Sequence, residues 1–146
     1  MPPFLRSLLA AVAGLALGAV TNMGLILLGA GLVPPPDGVD PTSAESIRAN
    51  LHLFEPKHFL FPFLAHAAGT FDGAFVAAVL ARPRGGWPPL AVGCLFLSGG
   101  IAMALTIPAP AWFIVTDLVL AYVPMAILGS RLAVKPFGPR AVRPAP

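Results

Sequence analysis

The stretch FLFPFLAHAAGTFDGAFVAAVLA, residues 59–81, decides the fold. It is an apolar run of the length that an α-helix needs to cross a bilayer, about 20 residues. Two ionisable residues, His66 and Asp72, lie within it. Ionisable groups are costly in hydrocarbon and normally face protein or water. The stretch therefore predicts a transmembrane helix that turns one face towards other helices.

The helical periodicity of this stretch separates two faces. Small and polar residues share one arc, namely Ala65, His66, Gly69, Thr70, Asp72, Gly73, Val76 and Ala77, while Leu60, Leu64, Phe71, Phe75 and Ala78 fall on the other side. Gly69 and Gly73 form a GxxxG pair, a spacing that lets a neighbouring backbone approach closely. The pattern predicts that the first arc packs against another helix and the second contacts lipid.

The composition of the whole chain agrees with a membrane setting. Of its 146 residues 57% are hydrophobic and 10% are charged, and its mean hydropathy is +0.83. This composition excludes a water-soluble domain and predicts one integral membrane domain. Most basic residues flank apolar segments, namely Arg6, Arg82, Arg84, Arg131, Lys135, Arg140 and Arg143. This positive-inside pattern predicts cytoplasmic termini and a lipid partner, not a nucleic-acid partner.

Four apolar segments predict four membrane spans, at about 7–33, 59–81, 88–107 and 111–132. The first is longer than the apolar core of a signal peptide, about 7 to 15 residues, which favours an uncleaved span. It carries a second GxxxG pair, Gly14 and Gly18. Gly99 and Gly100 predict close packing of the third span. Pro124 predicts a kink in the fourth.

The connections between the spans differ in character. Residues 34–58 form the one long polar connection, and they hold four of the six acidic residues. Thr42 or Asp40 can cap a short helix there, with Glu45 completing a capping box after Thr42. Ile47, Leu51 and Phe54 recur at helical spacing, which predicts an amphipathic helix along the membrane surface; a solvated linker is the alternative. Trp87 and Trp112 stand at opposite predicted boundaries as interface anchors.

These features together predict an all-α, four-helix transmembrane bundle with one short outer amphipathic helix. Residues 34–58 lie outside, and residues 133–146 form a basic cytoplasmic tail. For a bacterial chain, which its Ala-, Gly-, Pro- and Arg-rich usage suggests, the location is the cytoplasmic (inner) membrane.

Polar residues at depth form two predicted layers. Counting the helical rise puts His66 and Asp117 roughly 10 Å below the outer boundary and Asn22 and Asp72 roughly 16 to 20 Å below it. We expect His66 to pair with Asp117, and Asn22 to pair with Asp72 near Thr21 and Thr70. An unpaired buried charge would cost several kcal/mol. These groups either fix helix register, or form a proton or ion path through Asp72, His66 and Asp117, or contact a partner or cofactor.

Catalytic and metal-binding patterns are weak in the sequence. Cys94 is the single cysteine and lies within a span, which favours a packing role. His52, Glu55 and His58 make a surface zinc site conceivable, although zinc needs three or four ligands in matching geometry. Hydrolase, nucleotide-phosphate and dinucleotide motifs are missing. We therefore predict a non-enzymatic protein without metal or cofactor, leaving open a ligand at His66.

Three stretches carry a resemblance: PPPDGVDP at residues 34–41, AHAAGT at 65–70 and YVPMAILGSRLA at 122–133. Together they resemble a group of small, functionally uncharacterised bacterial membrane proteins of similar length. The resemblance implies four spans, a long first outer loop and a histidine in the second span. It implies no activity and transfers no catalytic role.

The function that we expect first is an accessory or structural subunit that packs against a larger membrane complex or against itself. Small-residue faces and the near absence of an extramembrane domain favour it. A small oligomeric proton- or ion-coupled transporter or channel comes second, and an intramembrane enzyme third.

Overall fold

The computed structural model describes residues 1–81 and 86–134, in which every regular element is helical. The α-helices are α1 Pro3–Leu32, α2 Ala44–Ala49, α3 Leu60–Ala81, α4 Pro88–Thr106, α5 Ala111–Leu120 and α6 Val123–Val134, and two 3-10 turns cover Leu51–Leu53 and Pro56–Phe59. Four helical segments have the length and hydropathy to cross a membrane, namely Pro3–Leu32, Pro56–Ala81, Pro88–Thr106 and Ala111–Ala133. The predicted all-α, four-helix bundle is confirmed.

Helix bounds differ from the prediction mainly at the chain's ends. α1 begins at Pro3, before the predicted residue 7, because a proline in the first helical turn lacks only an N–H that has no partner there. α6 continues through Val134, so residues 133 and 134 are helical and extend α6 into the predicted tail. The rest of that tail, 135–146, and the basic turn at 82–85 lie outside the described residues.

The most extensive helix contact joins α1 and α3, which run antiparallel. Gly14 faces Gly73, and Gly18 faces Gly69. A Cβ atom built on Gly69 would lie 2.7 Å from the carbonyl oxygen of Gly18, closer than real Cβ atoms come to other atoms. The two backbones therefore meet where side chains are missing. Towards the α1 N-terminus, Arg6 Nε donates a hydrogen bond of 2.8 Å to the Leu80 carbonyl.

The two adjacent glycines of α4 behave differently. Gly100 packs directly under the Tyr122 ring, whereas Gly99 has no atom within 4 Å of a Cβ position. Gly99 therefore packs against no neighbouring helix of the described chain, because consecutive helix residues point about 100° apart. Cys94 is also exposed on the outer face of the bundle, so it does not pack within the core of the described chain.

The fourth span is interrupted between α5 and α6. α5 ends at Leu120, and α6 begins at Val123. Pro124 has no N–H to donate to the Leu120 carbonyl, four residues earlier, so the α-helical hydrogen-bond pattern fails there. The kink predicted from Pro124 is present as a short turn at Ala121 and Tyr122, and both of these residues are fully buried.

Residues 34–58, called the outer segment after the side on which they are predicted to lie, are helical over a shorter length than predicted. The cap of α2 is Ser43, whose Oγ accepts a hydrogen bond of 3.2 Å from Ser46 N, and not Thr42 or Asp40. Asp40 instead accepts hydrogen bonds from Thr42 N at 2.8 Å and Thr42 Oγ1 at 2.7 Å, and these lower the pKa of its carboxyl. The capping box forms later, between Glu55 and His58, at the start of the second 3-10 turn.

The two tryptophans stand next to the starts of α4 and α5. Trp87 is 45% exposed and Trp112 is 51% exposed. Trp87 packs against Phe4 near the N-terminus, and Trp112 makes an edge contact with Phe59 beside the outer segment. They therefore lie at opposite ends of the bundle.

Candidate functional site: an apolar cavity with a polar floor

A cavity of about 420 Å³ opens between the helices in the half of the bundle next to the outer segment. Its walls come from α1, α3, α4 and α5 and are mainly apolar, with Ile26, Phe61, Met103, Phe113 and Leu118 among them. The apolar residues of the outer segment, Ile47, Leu51 and Phe54, also line it. The face that the sequence assigned to an amphipathic helix therefore covers the cavity, although only Ile47 lies in α2.

The polar lining of the cavity includes the predicted pair His66 and Asp117. His66 Nδ1 lies 2.9 Å from Asp117 Oδ1 and 3.0 Å from Oδ2. The side chain of Asp117 is 6% exposed and that of His66 is 23% exposed. The structure thus brings together the two groups that the depth count placed at one level.

Tyr122 completes this group, although its sequence position did not predict a role there. Its hydroxyl donates a hydrogen bond of 2.9 Å to Asp117 Oδ2, and its ring stacks on His66 with centroids 5.6 Å apart. On a continuous helix Tyr122 would point about 140° away from Asp117. The break before Pro124 removes that restriction, and Gly100 leaves room for the Tyr122 hydroxyl. We call His66, Asp117 and Tyr122 the polar triad.

The second predicted layer is partly wrong. Asp72 accepts a hydrogen bond of 3.1 Å from Thr21 Oγ1, so its partner is Thr21 and not Asn22. Asn22 lines the cavity, and its Oδ1 is buried without a hydrogen-bond partner in the described residues. Thr70 Oγ1 is likewise buried and unpaired in that part of the chain. Adjacent residues of α1 point in different directions, so similar depth does not make Asn22 and Asp72 neighbours.

The triad's hydrogen bonds leave one ring nitrogen of His66 available. Asp117 pairs with Nδ1 of His66 and accepts a hydrogen bond from Tyr122, so Nε2 is the histidine nitrogen that this group leaves without a partner. Nε2 makes no hydrogen bond to the described residues, and its tautomer decides whether it accepts or donates a hydrogen bond to a bound molecule. The cavity floor therefore offers an oriented imidazole and an uncommitted Asn22 amide to a bound molecule.

Metal ligation finds little support in the described residues. Within 1–81 and 86–134, His, Cys, Asp and Glu side chains form no group of three that could hold a metal ion. At the outer segment, His58 Nδ1 accepts from Glu55 N at 2.9 Å, while Glu55 pairs with Lys57 at 3.1 Å. Two of the three residues of the conceivable zinc site, His58 and Glu55, are thus engaged in contacts within the outer segment.

Comparisons with protein-family models, curated proteins and solved structures found no match. The resemblance to small bacterial membrane proteins therefore stays a prediction. The function is therefore inferred from the geometry of this chain alone.

Proposed function

We propose that this chain is a non-enzymatic membrane protein that acts as an accessory or structural subunit and associates with other membrane proteins or with copies of itself. The described residues include no folded unit beyond the four spans and the outer segment. Most of the surface of α1, of α4 and of the fourth span is left uncovered by the rest of the chain. A protein of this form has its largest surface available for lateral contacts in the bilayer.

The observation that carries the proposal is an exposed stripe of small residues on α4. Cys94, Ser98, Ala102 and Thr106 recur every four residues, and all four are exposed. Gly99 lies beside them with open space around it. Small residues at this spacing let transmembrane helices approach closely, which is how such helices associate in lipid. The exposed face of α1 is different, since Val20, Leu27 and Leu28 are bulky.

The single native cysteine allows a direct test of association between copies. In native membranes, oxidation should link two chains through Cys94, and Ser98→Leu should reduce the linked fraction because it adds bulk to the stripe. As a control, Val20→Cys in a Cys94→Ala background puts the thiol on the bulky face of α1, where we expect no link.

Mild-detergent purification with mass spectrometry detects the other form of association, with a larger complex. A chain that stays monomeric and copurifies with nothing contradicts the proposal.

The polar triad favours a second candidate, a small oligomeric proton- or ion-coupled transporter or channel. His66 and Asp117 lie at a cavity that extends from the outer segment into the bundle. Asp72 lies six residues further along α3, about 9 Å deeper, and would be the next group on such a path. In liposomes the purified chain would then move protons or ions, and Asp72→Asn or Asp117→Asn would stop it. An accessory subunit shows no flux.

A further inference from the structure

We propose that the cavity binds a neutral, lipid-soluble molecule with an apolar body and a carbonyl or hydroxyl head group, the chemistry of a quinone or quinol. The head group lies at the floor between His66 and Asn22, and the body lies along the apolar walls. This inference goes beyond subunit association and does not depend on it.

Size and lining support such an occupant. At about 420 Å³ the cavity is within the range of small-molecule sites, roughly 300 to 1,000 Å³. Aromatic and aliphatic side chains dominate its walls, with a few polar groups that include Asn22, His66 and Asp117. Packed protein interiors seldom leave such space, because the lining atoms forfeit dispersion contacts. The rest of the bundle is close-packed at the glycine contacts of α1 and α3, so the open space is a local feature.

Two polar groups at the cavity floor have hydrogen-bonding atoms without a partner in the described chain. Asn22 makes no side-chain hydrogen bond there, and one of its amide atoms is fully buried. An unpaired buried amide is costly, and a leucine of similar size would avoid that cost. His66 is held in orientation by Asp117 and Tyr122, but its Nε2 is uncommitted. An amide can donate to a carbonyl and accept from a hydroxyl, and Nε2 of an imidazole does one or the other according to whether it carries a hydrogen.

Charge argues for a neutral head group. Asp117 is the one acidic residue that lines the cavity in the described chain, and it already accepts hydrogen bonds from His66 and Tyr122. No lysine or arginine is among the described residues that line the cavity, so a buried carboxylate or phosphate ligand would lack a permanent cation to compensate its charge. A cationic ligand could pair with Asp117 only by displacing His66 or Tyr122 from it. A neutral head group fits the floor without either cost.

Trp112 provides a reporter for binding. Its ring lies 5.9 Å from that of Phe113, which lines the cavity, whereas Trp87 stands near the opposite end of the bundle. The full chain carrying Trp87→Phe, in lipid nanodiscs, is titrated with decylubiquinone, which quenches tryptophan fluorescence. We expect saturable quenching of Trp112. Asn22→Leu and His66→Phe should each weaken binding about tenfold, the scale of one lost buried hydrogen bond.

Three controls separate this site from simple partitioning into lipid. Ala104→Phe fills the cavity and should abolish saturable quenching, whereas Leu105→Phe adds the same ring to the exposed face and should leave it unchanged. Asn22→Leu should keep or raise the thermal unfolding midpoint while it weakens binding, a combination that a purely structural asparagine would not show.

Three outcomes overturn the proposal. The first is quenching that rises linearly with the decylubiquinone concentration, or that is equal in the Trp87→Phe parent and in its Ala104→Phe variant. The second is unchanged affinity in a folded Asn22→Leu, which keeps the test valid even if His66→Phe fails to fold. The third is tighter binding of dodecanoate, which would show that the site prefers an anion.

Discussion

Replacing Gly18 by alanine should open the contact between α1 and α3. The new Cβ would lie 2.5 Å from the Gly69 carbonyl oxygen and 2.9 Å from Phe96 Cε2. The phenyl ring can rotate away, but the carbonyl belongs to a helix backbone and cannot. Reaching even a close C–H···O separation, about 3.3 Å, requires the helices to part by about 0.8 Å. Overpacking of this kind costs about 1 to 3 kcal/mol of the free energy of unfolding.

The same helix offers a matched control in Gly24, where an added Cβ meets no atom within 4 Å. Gly24→Ala should be neutral or stabilising by up to about 1 kcal/mol, because alanine favours the helix over glycine. Equilibrium unfolding of both variants in mixed detergent micelles gives the difference. Equal stabilities for Gly18→Ala and Gly24→Ala would refute the close backbone contact.

Three further substitutions, one of them with a matched control, test the triad and the outer segment. Tyr122→Phe removes a buried hydrogen bond to the Asp117 carboxylate and should cost about 1.5 to 3 kcal/mol in the same unfolding assay. Gly100→Ala should cost about 1 to 3 kcal/mol because its Cβ would overlap the tyrosine hydroxyl, whereas Gly99→Ala should not destabilise. Ser43→Ala removes the cap of α2 and should weaken that helix by about 1 kcal/mol, measured as faster amide hydrogen exchange over 44–49.

Features of the fold that depend on length and hydropathy could be predicted from the sequence. Four long apolar segments specify four spans, whatever their packing. The meeting of His66 with Asp117 also follows from counting, because both lie a similar distance from the outer boundary on helices with a fixed rise. Such counting gives depth but not rotation about the helix axis, which is why it assigned Asn22 instead of Thr21 to Asp72.

The missed parts of the site depend on tertiary structure. Tyr122 joins the triad only because the fourth span breaks before Pro124, and the helical wheel of an unbroken span directs it elsewhere. The cavity is the space left between four helices and the outer segment, so no single stretch of sequence encodes it. The best sequence signal for the position of Tyr122 was Pro124. A helix that breaks before a proline no longer fixes the direction of the side chains at the break.

The central claim is that this chain crosses the bilayer four times, with the outer segment and the turn between α4 and α5 on the same side. Single cysteines placed at Pro2, Asp37 and Pro108 in a Cys94→Ala background test it with a membrane-impermeant maleimide in intact cells. The account predicts that positions 37 and 108 react together and that position 2 reacts only after the membrane is permeabilised. Reaction of positions 2 and 37 from the same side would contradict it.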